Sequence, residues 1–151
     1  MTDSNNHLAG RISAKPNPML STLEPLVGRW RVESDMVQGE TEFEWFEGGF
    51  FLVQRVELSR GSHRISGVEY IGYDEETKSL RSHFMDNNGS NFTYTWELSG
   101  DALWTWFGER DSTNFFRGKF NADKSSYEGA WQWPDGQGGH GGYRAVMCRL
   151  G

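Results

Sequence analysis

Ten stretches of alternating residues follow one another along this chain, with nothing longer than a short loop between them. In one, Phe92, Tyr94 and Trp96 interleave with Asn91, Thr93, Thr95 and Glu97; in another, Tyr127, Trp131 and Trp133 interleave with Glu128, Ala130 and Gln132. Period-two alternation places successive side chains on opposite faces, so each stretch reads as a strand with one dry and one wet face. The expected strands are residues 28–37, 40–46, 50–59, 64–73, 78–86, 91–98, 101–109, 113–122, 126–133 and 143–150. Connections this short leave no room for crossover helices, which forces antiparallel pairing between sequence neighbours. A ten-stranded sheet of that kind curls, and closure into a barrel removes its unpaired edges. A β-sandwich needs longer Greek-key connections, and only the PDGQGGHGG run at 134–142 offers one. The expected fold is all-β, an antiparallel up-and-down barrel of about ten strands.

The segment ahead of the strands is different. Residues 1–17 are polar and rich in Asn, Ser and Pro, too poor in apolar surface to offset the entropy of ordering, and read as a flexible arm before a single domain at 18–151. Met19, Leu20, Leu23, Leu26 and Val27 recur with a helical period, while Pro25 and Gly28 limit the helix to a turn or two. Such a short N-terminal helix would plug one end of the barrel. Asn87-Asn88-Gly89 predicts a tight hairpin of type I′.

Charge and motif content exclude several functions. The 21 acidic and 15 basic residues give a net charge of −6 without a basic cluster, so neither nucleic acid nor an anionic membrane surface is an expected partner. No apolar run suits a signal peptide or a spanning helix, which points to a cytoplasmic location. Cys148 is the single cysteine; it has no disulfide partner and, from its strand, reads as a small core residue. His7, His63, His83 and His140 lack metal-ligand spacing, and no nucleophile elbow or phosphate loop is present. No metal and no catalytic residue is expected from these patterns.

The candidate ligand contacts come from the dry faces. The 22 aromatic residues supply volume enough to line a cavity as well as fill a core. Trp45, Tyr94, Trp96 and Trp131 lie on dry faces, and Trp106 is a further candidate. Gln54 interrupts Leu52, Val56 and Leu58, and Glu69 shares its parity with Ile65, Ile71 and Tyr73. A buried polar group needs a partner, from the protein or from a ligand. His83 is the third polar candidate. The strands at 64–73, 78–86, 101–109 and 143–150 are apolar on both faces, and a one-residue slip exchanges all their inward residues. The expected partner is a small apolar or aromatic ligand; the alternative is that the same side chains pack the interior solid.

Gly28-Arg29-Trp30, following a short apolar helix, resembles the Gly-x-Trp signature of the lipocalin-like (calycin) barrels. The resemblance implies that Trp30 closes the barrel floor and that an arginine late in the chain, here Arg149, packs across its ring. Trp45-Phe46-Glu47-Gly48-Gly49-Phe50-Phe51-Leu52, Ile71-Gly72-Tyr73-Asp74, His83-Phe84-Met85-Asp86 followed by Gly89, and Gly129-Ala130-Trp131 are similar to a bacterial family of uncharacterised lipocalin-like domain proteins. That likeness covers residues 20–150 or so and implies a fold without an activity. A more distant likeness is to nitrobindin, a ten-stranded barrel that holds haem through a late histidine. It implies haem or another tetrapyrrole as a possible cofactor on His83 or His140, although His140 lies in a glycine-rich loop here. Calycin barrels that work as enzymes imply a further alternative, Glu69 acting beside Tyr94 or Arg55.

Overall fold

The computed structural model describes residues 15–151; most of the N-terminal arm expected at 1–17 lies outside the described residues. A 3-10 helix (Pro18–Leu26) leads into ten strands: β1 (Gly28–Ser34), β2 (Gln38–Trp45), β3 (Phe51–Arg60), β4 (His63–Asp74), β5 (Ser79–Asp86), β6 (Asn91–Ser99), β7 (Ala102–Phe107), β8 (Phe115–Phe120), β9 (Ser126–Pro134) and β10 (His140–Leu150). Each strand pairs antiparallel with its sequence neighbour, and β1 pairs with β10 to close the barrel. Closure leaves no strand edge free, as expected for a sheet of this length.

The helix fits its role through its period. Leu20, Leu23 and Leu26 are buried at three-residue spacing, the repeat at which 3-10 side chains align along one face. Asn17 caps it by accepting the Met19 N–H at 2.9 Å. Its apolar face packs against β3, β4, β5 and β6, sealing the end at which β1 begins and β10 finishes.

Strand phase settles which residues face inward. The buried or half-buried inner positions are Ile65, Glu69 and Ile71 on β4, Leu80, Ser82 and Phe84 on β5, Leu103, Thr105 and Phe107 on β7, and Tyr143, Ala145 and Met147 on β10. Cys148 therefore departs from its expected core position. Ala145 and Met147 occupy the inner face of β10, and Cys148 is half-buried on the other face, paired with Arg31 and Ser126. Among the described residues, no helix is long and apolar enough to cross a membrane.

Two connections differ from expectation. β9 and β10 pair as far as Pro134 and His140, so the long glycine-rich run shrinks to a loop at 135–139. Asp135 orders that loop by accepting the N–H groups of Gln137 and Gly139. The Asn87-Asn88-Gly89 turn is not type I′, which would need positive φ at two successive central residues. Positive φ falls on Gly89 alone; the Gly89 N–H donates to the Asp86 carbonyl, and the Asp86 carboxylate accepts from the N–H groups of Asn88 and Ser90. The aspartate ahead of the turn selects the three-residue form by capping its amides.

Candidate functional site

The two ends of the barrel are unlike. At the floor, Trp30 is fully buried, and its Nε1–H donates to the Leu26 carbonyl at 2.8 Å. The Arg149 guanidinium lies 4.2 Å from the centre of the Trp30 ring and donates to the carbonyls of Val27, Pro25 and Lys124. The arginine thus satisfies carbonyls at the helix exit while covering the aromatic face. Gly28 makes this approach possible: a Cβ there would stand 2.7 Å from Arg149 Nη1, and its φ of +127° is one that side chains avoid. The opposite end carries the turns after β1, β3, β5, β7 and β9, and no helix of the described residues covers it.

Between floor and mouth lies a cavity of about 510 Å³. One wall is aromatic: Trp131 stands 6.2 Å from Tyr94, 5.5 Å from Phe116 and 6.0 Å from Phe107, ring centre to ring centre. A polar chain crosses the other wall through strands β2 to β6. Thr41 Oγ1 donates to Gln54 Oε1 at 2.8 Å, and Gln54 Nε2 donates to Glu69 Oε1 at 2.9 Å. Ser82 Oγ meets Glu69 Oε2 at 2.5 Å. Trp96 Nε1–H is shared between Glu69 Oε2 and Ser82 Oγ, 3.0 Å from each. The barrel register makes this possible, because Gln54 pairs with Glu69 across β3–β4 while Glu69 and Ser82 lie on the same inner face of β4 and β5.

Glu69 is the centre of that chain and is 4% exposed. Burial disfavours its charged form and raises its pKa to about 7, against the opposing pull of hydrogen bonds from Ser82, Trp96 and Gln54. Burial likewise pushes the Tyr94 phenol up, with the charges of Glu69, Tyr143 and Asp86 adding to the effect. Asp86, at the mouth, is held low despite a desolvation effect in the other direction, because it accepts the Ser90 and Asn88 hydrogen bonds. Near neutral pH, Glu69 is the group in this set whose charge changes.

Of the residues nominated from sequence, Gln54, Glu69, Tyr94, Trp96 and Trp131 all line the cavity. Trp45, Trp106 and His83 do not. Trp45 has the inner phase but sits at the floor end of β2, opposite Leu52, where its Nε1–H donates to Glu24 of the helix at 3.0 Å. Trp106 is on the outer face of β7, because Leu103, Thr105 and Phe107 take the inner one; it stacks on Trp104 at 5.3 Å beneath Arg110. His83 is exposed on the outer face of β5 with its ring against Asn91, since Ser82 and Phe84 point inward. Arg55, the second partner considered for Glu69, is exposed outside β3, and His140 is exposed at the start of β10.

Phe84, Phe116 and Asn114 are among the lining residues that sequence reading missed. Phe84 and Phe116 belong to strands with apolar residues on both faces, which hides their phase. The expected strand 113–122 takes in Asn114, but β8 begins at Phe115 and Asn114 lies in the β7–β8 connection, where it lines the cavity with its Oδ1 buried and without a hydrogen-bond partner among the described residues. Among the described residues no cluster of His, Cys, Asp and Glu could hold a metal ion.

A model of the family described as "Protein of unknown function (DUF1579)" matches residues 15–147. Among solved structures, the crystal structure of Rv2717c from M. tuberculosis is similar with a TM-score of 0.59 and 15% identity, over 91% of this chain and 100% of that one. At that identity the likeness bears on the fold alone. No curated protein matches the chain.

Proposed function

The chain belongs to the DUF1579 family, whose function is unknown, and we propose from its interior that it is a lipocalin-like binding protein enclosing a small, largely apolar or aromatic molecule. The observation that carries this reading is the open-mouthed cavity of about 510 Å³, within the roughly 300–1,000 Å³ of small-molecule sites. Its walls follow the pattern of such sites, with apolar and aromatic surface around a few convergent polar groups. Trp96, Tyr94 and Trp131 supply the stacking surface, while Gln54 and Glu69 fix orientation. The lipocalin-like reading draws further support from the Arg149–Trp30 stack at the floor.

Titration with N-phenylnaphthylamine, a neutral fluorescent probe, tests the proposal. One saturable site is expected. Ala145 is buried and lines the cavity, so Ala145→Phe puts a ring into the vacant volume and weakens binding about tenfold or more. No saturable binding, or undiminished binding to a folded Ala145→Phe variant, rejects it.

A second reading draws on Glu69 itself. A buried carboxyl with a pKa of about 7 on a cavity wall suits general acid–base chemistry, with the Tyr94 phenol lining the same cavity. Acetonaphthone in deuterated water tests this: deuterium entering its methyl group faster than in buffer, and no longer so in Glu69→Gln, supports proton transfer. Exchange at the buffer rate rejects it.

A further inference from the structure

Resting on the binding reading above, we propose that the ligand is an organic cation: a protonated amine on an apolar or aromatic body, its ammonium group set against the Glu69 carboxylate.

The charge inventory of the cavity carries this inference. Glu69 and Asp86 both line it, and no Lys, Arg or His is among the described residues that do. Glu69 is held by Gln54, Ser82 and Trp96, all neutral, and makes no ion pair with a described residue. A buried carboxylate in a protein normally has a cationic partner, because desolvation of an uncompensated charge is costly. Here the partner's place is open toward the cavity.

The hydrogen-bond geometry agrees. Each carboxylate oxygen can accept about two hydrogen bonds. Oε2 is taken by Ser82 and Trp96, whereas Oε1 has Gln54 alone, leaving one acceptor direction for a ligand N–H. A second acceptor without a donor, Asn114 Oδ1, is buried in the same lining. An ammonium group has three donors and no acceptor, which suits the open positions on Glu69 Oε1 and Asn114 Oδ1. Tyr94, Trp131, Phe107 and Phe116 line the same cavity, and aromatic rings attract cations. A fatty-acid carboxylate would meet the like charge of Glu69 and Asp86 and no cationic side chain among the described lining residues.

The groups facing Glu69 permit a clean pH signature. Thr41 and Gln54 face it from β2 and β3, Ser82 and Asp86 lie on the β5 wall, and Tyr94 and Trp96 on the β6 wall; Tyr127, Trp131 and Tyr143 line the far side. Asp86 is held low, and burial raises Tyr94, Tyr127 and Tyr143. Arg60 and His63 are exposed at the β3–β4 turn on the rim. An amine that pairs with ionised Glu69 therefore binds about tenfold more weakly near pH 6 than near pH 8, whereas a neutral analogue does not follow that trend.

The experiment uses three molecules with one apolar body: naphthylmethylamine, naphthylmethanol and naphthoate, titrated near pH 8 by calorimetry. The amine is expected to bind about tenfold or more tightly than the alcohol, and naphthoate more weakly than both. Glu69→Gln brings the amine-to-alcohol ratio close to one. If that variant does not fold, the pH dependence of amine binding to the unaltered protein makes the same test. Equal affinities for amine and alcohol, a preference that survives Glu69→Gln, or pH-independent amine binding each overturn the inference while leaving the binding reading intact. Failure of all three molecules, together with N-phenylnaphthylamine, overturns both.

Discussion

Replacing Glu69 with glutamine makes the protein's stability respond to pH in a way that can be worked out in advance. Native Glu69 keeps its proton up to about pH 7, against an ordinary value of 4.5. Between those pH values the native state binds one proton more than the unfolded chain, so stability falls as pH rises through the window. Each tenfold change in proton activity weighs about 1.4 kcal/mol, and the full window about 3 kcal/mol. This contribution is present below pH 4.5 and gone above about 7. Glutamine has no such titration. It can also be accommodated: with its amide donating toward Gln54, the Gln54 amide turns to donate to Thr41 Oγ1, whose hydrogen already has a second acceptor in the Arg55 carbonyl at 3.1 Å. The variant's carbonyl oxygen then takes the place of Oε2 and accepts from Ser82 and Trp96, so the cost of turning Gln54, about 1 kcal/mol, is the same at every pH. Urea unfolding of both proteins from pH 4.5 to 8 is the assay, with the difference between them cancelling every other titrating group. That difference should move by about 3 kcal/mol in favour of the variant as pH rises, about 1.5 M in urea midpoint at unchanged slope. A difference that stays flat across the window would refute an interior carboxyl held neutral by burial.

Other substitutions separate floor, outer face and cavity. Arg149→Met removes the cation over Trp30 and the donors to Pro25, Val27 and Lys124; a loss of about 3 kcal/mol in urea unfolding is expected, and a loss below about 1 kcal/mol would contradict the role given to this contact. Trp106→Leu and His83→Ala alter side chains outside the cavity, so N-phenylnaphthylamine affinity should stay within about twofold of the parent. A tenfold loss in either would put the binding surface on the outside of the barrel.

The barrel was legible in the chain because it follows from local facts: alternation, glycine-rich turns and connections too short for anything but antiparallel neighbours. The site was legible only in part. Gln54, Trp96 and Trp131 were recoverable because their strands have one clearly apolar face. Trp106 was not, since Trp104 and Trp106 are shielded outside the barrel by Arg117 and Arg110. Cationic cover of that kind makes an outer face look as apolar as an inner one. Trp45 had the right phase at the wrong height, a coordinate set by the helix that meets it through Glu24. Asn114 falls in the expected strand at 113–122, but the loop after β7 runs two residues further than alternation suggests, to Asn114. The partners of Glu69 depend on register between strands up to 27 residues apart, which alternation does not encode.

The claim that matters most is that the barrel interior is a binding chamber. A crystal of the protein grown with bromonaphthalene tests it directly, because bromine's anomalous signal locates the ligand without model bias. A single peak between Trp96, Tyr94 and Trp131 is the predicted result. A peak on the outer surface with the chamber filled by side chains would contradict it.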